Sequence, residues 1–235
     1  MIYIKMAGIT VRIDNRYSYL ESLCRDFTVP AVADVDMSIC VSEEEMDGEI
    51  ARSGQSNRGY TESVCACRRI CSELPCRFDG FLFHSALIEY EGKGYAFAAP
   101  SGTGKSTHIR MWQERFGDGV RVVNGDKPIF RLIDGKFYAY GTPWCGKEGQ
   151  HINTSVPLEA VCFLERSENN FIEKIDVSRA VMKVMKQIIV PTDARTLDSL
   201  FSLIEKMLLG VSTYRLGCNI SQEAAEVAYN GINNI

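Results

Sequence analysis

The sequence predicts an α/β protein, a mixed sheet with hairpins and flanking helices. Three observations predict it. Apolar runs of strand length alternate with segments whose apolar residues recur at helical spacing. Two of the runs, 81–90 and 94–99, are joined by Glu91-Gly92-Lys93, a short glycine-containing turn that suits a hairpin. The second run then passes through a glycine-rich loop straight into a helical pattern from Lys105 to Arg115.

In chain order, residues 1–13 alternate loosely and read as one strand, and 16–26 as a helix. SICVSEEEM opens as a strand and turns acidic, and GQSNRG (54–59) is loop by composition. TESVCACRRICSEL has helical spacing, with Pro75 expected to stop it. Beyond the hairpin and the helix from Lys105 come a strand at 120–124 and further hairpin material to Tyr140. The segment 141–150 is a glycine-rich loop, and LEAVCFLE is a strand. DVSRAVMKVMKQIIV reads as a helix ended by Pro191, and DSLFSLIEKMLLG as another that stops at Gly210. TYRLGCNI is a last strand, and Ser221 opens a last helix. The chain divides into a small N-terminal α/β segment, 1–77, packed on a core of 78–235 that ends in helices. Met and Leu stripes on the two late helices read as packing, with a homo-oligomer face as the other use.

Composition narrows the function. The 235 residues are 46% hydrophobic, enough to bury a core, and the net charge of −4 offers no footprint for nucleic acid. No run of 18 uncharged apolar residues would span a membrane, and the start carries no signal-peptide pattern, so the expected location is the cytoplasm. Nine cysteines include a cluster at Cys65, Cys67, Cys71 and Cys76. Its spacing fits neither zinc ribbons nor iron–sulfur runs, so it reads as small core residues, with a metal or redox role as the alternative.

The stretch AAPSGTGKST carries the chemistry. It ends a strand, bends on Gly102 and Gly104, and opens a helix, as a P-loop does. In that arrangement backbone N–H groups from Ser101 to Thr107 face a polyphosphate at the positive helix end. Lys105 adds a point charge, and the Ser106 hydroxyl holds magnesium. The strict pattern asks for glycine where Ala99 stands, which a negative φ would tolerate. The motif arises in roughly 1% of chains this long at average composition. Asp126 follows the apolar run VRVV and Asn124-Gly125, where a P-loop site needs a metal carboxylate; the plain alternative is turn chemistry.

The runs FHSALIEYEGKGYAFAAPSGTGKST and VVNGDKP, followed by GTPWCG, resemble HPr kinase/phosphorylase and its relatives. That group shares its nucleotide-binding core with the phosphoenolpyruvate carboxykinases. The resemblance covers about residues 81–165. It implies an HPr kinase C-terminal-domain-like P-loop core and an ATP- and magnesium-dependent kinase acting on a serine hydroxyl of a small protein or peptide. Tailoring kinases of ribosomally made peptides are one such setting. A kinase of free serine or a similar metabolite, and a nucleotide-binding regulator without transfer, are the other readings. His84 falls on the family's histidine. The family's phosphorylating members carry two adjacent acids where this chain has Gly125-Asp126, so the usual proton acceptor is missing.

His84 is the first replacement, because imidazole exchanges protons near neutrality. Glu62 is a second, or else a solvated acid at a helix start. His108 would reach a phosphate or the base, or lie exposed on its helix. His151 and Asn153 are weaker substrate contacts. Trp144 and Lys147, in the loop 141–149, would touch substrate and neutralise the transferred group. Alternatively, Trp144 plugs the core and Lys147 is solvated. Lys127 and Arg131 could touch phosphate.

Overall fold

The structure is a computed structural model and describes residues 1–234. Residues 1–13 make two strands, not the one expected. β1 (Ile2–Met6) and β2 (Ile9–Ile13) pair antiparallel across Ala7-Gly8, both at positive φ, a two-residue hairpin turn. The buried set changes phase there, from positions 4 and 6 to 9, 11 and 13, which is the sign the alternation carried. After α1 (Ser18–Leu23) and a 3-10 turn at Arg25–Phe27, β3 (Met37–Ile39) pairs parallel with β2.

The acidic SEEEM is the start of a helix. α2 (Glu43–Ser53) opens on a capping box, in which the Ser42 hydroxyl accepts from the Glu45 N–H and the Glu45 carboxylate accepts from the Ser42 N–H. α3 (Arg58–Phe78) runs through Pro75 rather than stopping before it. Pro75 lies in the last turn, where it removes a single N–H, and the helix ends instead at Asp79 in the left-handed conformation. This N-terminal layer buries its own core, which also takes in Leu82, Ile129 and Trp144 from later in the chain.

The apolar run 81–90 is broken into β4 (Gly80–Leu82) and β5 (Ala86–Tyr90). Between them the backbone N–H groups are claimed elsewhere: Phe83 donates to Pro128, His84 to Gln187 and Ser85 to Asp126. β6 (Lys93–Ala98) completes the expected hairpin with β5. α4 (Lys105–Phe116) then crosses to β7 (Arg121–Asn124), on the far side of β5. β5 is antiparallel to both neighbours, so β6 and β7 are parallel. β8 (Ile129–Ile133), β9 (Lys136–Tyr140) and the start of β10 (Ser155–Arg166) form an antiparallel meander that joins β4.

Further along, β10 lies parallel between β6 and the last strand, so one long strand links both halves of a curled mixed sheet. β11 (Phe171–Lys174), unmarked in the sequence pattern, precedes α5 (Val177–Val184), α6 (Ala194–Gly210), β12 (Ser212–Cys218) and α7 (Gln222–Asn233). α5 ends well before Pro191. The Ser221 hydroxyl donates to Asn219 and does not cap α7.

One face of the sheet packs on α5 and α6 and the other on α4 and α7. All nine cysteines are free thiols, and Cys65, Cys67 and Cys71 lie in the N-terminal core. Among the described residues no helix is long and apolar enough to cross a membrane.

Candidate functional site

The loop between β6 and α4 stands at the end of the central strands. Gly102 and Gly104 take φ of 78° and 125°, a backbone that other residues rarely adopt. Ala99 is not among the positive-φ residues and packs in the core beside Ile109, so its methyl fits where the strict motif has glycine. Ser101, Gly102 and Ser106 are exposed, Thr103, Gly104 and Thr107 half-buried. Lys105 is buried: its ammonium donates to the Ala99 carbonyl at 2.9 Å and lies 3.4 Å from His84 Nε2. Burial lowers its pKa. Arg166, at the end of β10, donates to the carbonyls of Gly102 at 2.7 Å and Thr103 at 3.3 Å and fastens the loop from outside.

Asp126 follows β7. The Asn124 side chain accepts from the N–H groups of Asp126 at 2.9 Å and Lys127 at 2.6 Å, and donates to the Thr142 carbonyl at 2.9 Å. This turn aims the Asp126 carboxylate at His84, whose Nε2 lies 3.0 Å from Oδ1, while Lys127 holds Oδ2. Burial alone would raise the Asp126 pKa, but hydrogen bonds from His84 and Lys127 outweigh it and bring it to about 2. A carboxylate can only accept, so His84 Nε2 donates to it, and in the neutral ring that tautomer makes Nδ1 the acceptor. Lys105, His84 and Asp126 are thus brought together, with Ser106 at the mouth.

Gly125 has a steric cause. A Cβ there would stand 2.6 Å from the Cys145 carbonyl oxygen, so the space an acid would use is filled by the 141–151 loop. The same loop turns Glu148 onto the site, where its Oε1 accepts from the Ser106 hydroxyl at 2.9 Å. Sequence reasoning missed both Glu148 and Arg166. Neither sits in a motif, and both meet their partners across long separations.

Other predicted residues lie elsewhere. Glu62 is wholly buried, not solvated, and accepts from the backbone N–H groups of Arg16 at 2.6 Å and Tyr17 at 3.2 Å. These bonds tie the N-terminal segment to α3 and leave the carboxylate no exposed face for substrate. Trp144 is the core plug: it is 8% exposed, and its indole N–H donates to the Ser63 carbonyl at 3.2 Å. Lys147 is exposed. His108 is neither exposed nor at the loop surface. It is buried against Phe97, accepts from the Trp112 indole at 3.0 Å, and has its pKa pushed down to about 3 by burial. His151 sits between the Cys145 thiol and Asp26, each 3.1 Å away, and Asn153 donates to the Lys5 carbonyl. Arg131 donates to the carbonyls of Phe78 and Ala7, an architectural use. Among the described residues no three His, Cys, Asp or Glu side chains gather as a metal cluster.

The family model of SynChlorMet cassette protein ScmC matches residues 61–192, more than half of the chain. The chain belongs to the ScmC family. The matched span runs from α3 past β10 and holds the glycine loop, His84, Asp126, Glu148 and Arg166. The family shown is therefore ScmC, a different one from the HPr kinase family that the motifs resemble. No curated protein matches. Among solved structures, the Hpr(Ser) kinase/phosphatase from Coxiella burnetii is similar at 10% identity and a TM-score of 0.38. The match covers 65% of this chain and 97% of that one.

Proposed function

We propose that this ScmC-family protein binds a magnesium nucleotide at the glycine loop and transfers its terminal phosphoryl group to a hydroxyl, the preferred acceptor being a serine of a small protein or peptide. The observation that carries the reading is the convergence of Lys105, His84 and Asp126 beside the exposed hydroxyl of Ser106 at the start of α4. Loop N–H groups and the positive helix end, with Lys105 behind them, suit a polyphosphate.

Ser106 and Asp126 are hard oxygen donors and fit magnesium, which takes one or two carboxylates plus substrate phosphates. When bound, that ion would neutralise charge on the phosphates. Asp126 keeps its carboxylate ionised and orients the His84 ring. In the transfer step the acceptor oxygen forms a bond to the γ-phosphorus as the bond to the β-bridging oxygen breaks. Nδ1 of His84 takes the hydroxyl proton, and the nucleoside diphosphate leaves with the bonding pair. Positioning and charge supply most of such catalysis, so a strong base at position 125 is not required.

Calorimetry with Mg-ATP and Mg-ADP tests the site. The protein is expected to bind, and Lys105→Ala to lose at least tenfold in affinity; no heat with any magnesium nucleotide overturns the proposal. Labelling from γ-labelled ATP tests the transfer: peptide acceptors and free serine separate the two kinase readings. The filled space at Gly125 favours one further reading, a nucleotide-binding regulator, which would bind and label nothing.

A further inference from the structure

We propose that Glu148 is a second carboxylate of the divalent-cation site, delivered by the loop that closes position 125. The inference rests on the nucleotide-site reading above and adds a residue to it.

Position 125 is closed by the Cys145 carbonyl oxygen, 2.6 Å from where a Cβ would stand. The loop that closes it also delivers an acid. Thr142 fixes its start through Asn124 and the Lys127 carbonyl, and the Trp144 indole anchors it to α3. The chain then turns at Gly146 and Gly149, both at positive φ, and puts Glu148 between them. A Cβ on Gly146 would stand 3.1 Å from Asp126 Cβ, 3.6 Å from its Cγ and 3.9 Å from Glu148 Oε2, so the Asp126 side chain and the Glu148 carboxylate border one space. The Ser106 hydroxyl borders that space through Glu148.

The spacing suits a cation. Magnesium holds six oxygens at about 2.1 Å with near-right angles, which sets neighbouring oxygens about 3 Å apart. Ser106 Oγ and Glu148 Oε1 are 2.9 Å apart, the length of one octahedral edge. Without the ion, the serine proton bridges the two oxygens. With an ion bound, that proton would turn away and Ser106 Oγ and Glu148 Oε1 would both be free to hold it.

The test is Mn2+ binding, followed by electron paramagnetic resonance, in the presence of a non-hydrolysable ATP analogue. Wild type, Glu148→Gln, Glu148→Asp and Asp126→Asn are compared, with metal-free nucleotide affinity measured in parallel. Glu148→Gln is expected to weaken Mn2+ by about 10–100-fold, as loss of a metal partner does. Its metal-free nucleotide affinity should stay within about threefold, and Glu148→Asp should fall between. Glu148 is exposed, so these variants keep the fold, and thermal unfolding checks it. If Glu148→Gln binds Mn2+ as tightly as wild type while Asp126→Asn does not, Glu148 has no metal role and the nucleotide site stands. If wild type binds no nucleotide, both proposals fall.

Discussion

Gly125 shows how one residue can be legible in a sequence and its reason invisible. The resemblance to the HPr kinase family marks an acid as missing, while only the fold shows that a carbonyl from residue 145 occupies the space. Adding the acid back should therefore harm the protein. Gly125→Asp is expected to lower stability by about 1–3 kcal/mol through overpacking, without raising phosphoryl transfer. Urea midpoints and a transfer assay check both halves, and a fully stable variant would sink the steric account. Lys105 and Asp126 became candidates because each lies in a local strand–loop signature, and His84 became one through the family resemblance; the fold brings the three side chains together. Glu148 and Arg166 could not be found in either way, because they meet the glycine loop across 42 and about 63 residues, a relation that tertiary packing alone creates.

At the scale of elements, most strands and helices followed from period and turn chemistry, and the misses have local causes. α3 survives Pro75 because the proline sits in the final turn, and α2 hid behind an acidic run whose Ser42–Glu45 pair is a helix start. α4 supplies the test at this scale. His108 lies one helical turn before Trp112 on α4 and is held neutral by burial, which pushes its pKa down to about 3 from 6.5. The unfolded chain takes up this proton first as pH falls. Stability is therefore complete above pH 6.5 and declines from there toward pH 3. Between pH 7 and pH 5 the loss from this one group is about 2 kcal/mol. His108→Gln keeps an acceptor for the Trp112 indole and removes the titration. Its stability should fall less over that interval, by about the same 2 kcal/mol, when urea unfolding is compared at the two pH values. Equal losses in the two proteins would mean that His108 charges without cost in the folded state.

At the scale of the molecule, the division into residues 1–77 and 78–235 is a proposal about sequence that the packing makes testable. Leu82, Ile129 and Trp144, all from the second segment, are buried in the core of the first, and Arg131 holds the Ala7 carbonyl. Shared burial of this kind couples two layers, because opening one exposes apolar surface of the other. The expectation is a single cooperative unit in which the 141–151 loop depends on the N-terminal layer that holds Trp144. The chain contains two tryptophans, and they fall in different cores: Trp144 in the N-terminal layer and Trp112 on α4, packed on one face of the sheet. Trp112→Phe leaves fluorescence that reports the first core, and Trp144→Phe leaves fluorescence that reports the second. Each variant is scanned by fluorescence and by circular dichroism, which follows the whole chain. The two probes should give the same midpoint within each variant, as two-state unfolding requires. A variant whose remaining tryptophan melts apart from its circular dichroism would make the layers separate folding units. The site would then rest on residues 78–235 alone, and the loop that carries Glu148 would lose its anchor before the sheet unfolds.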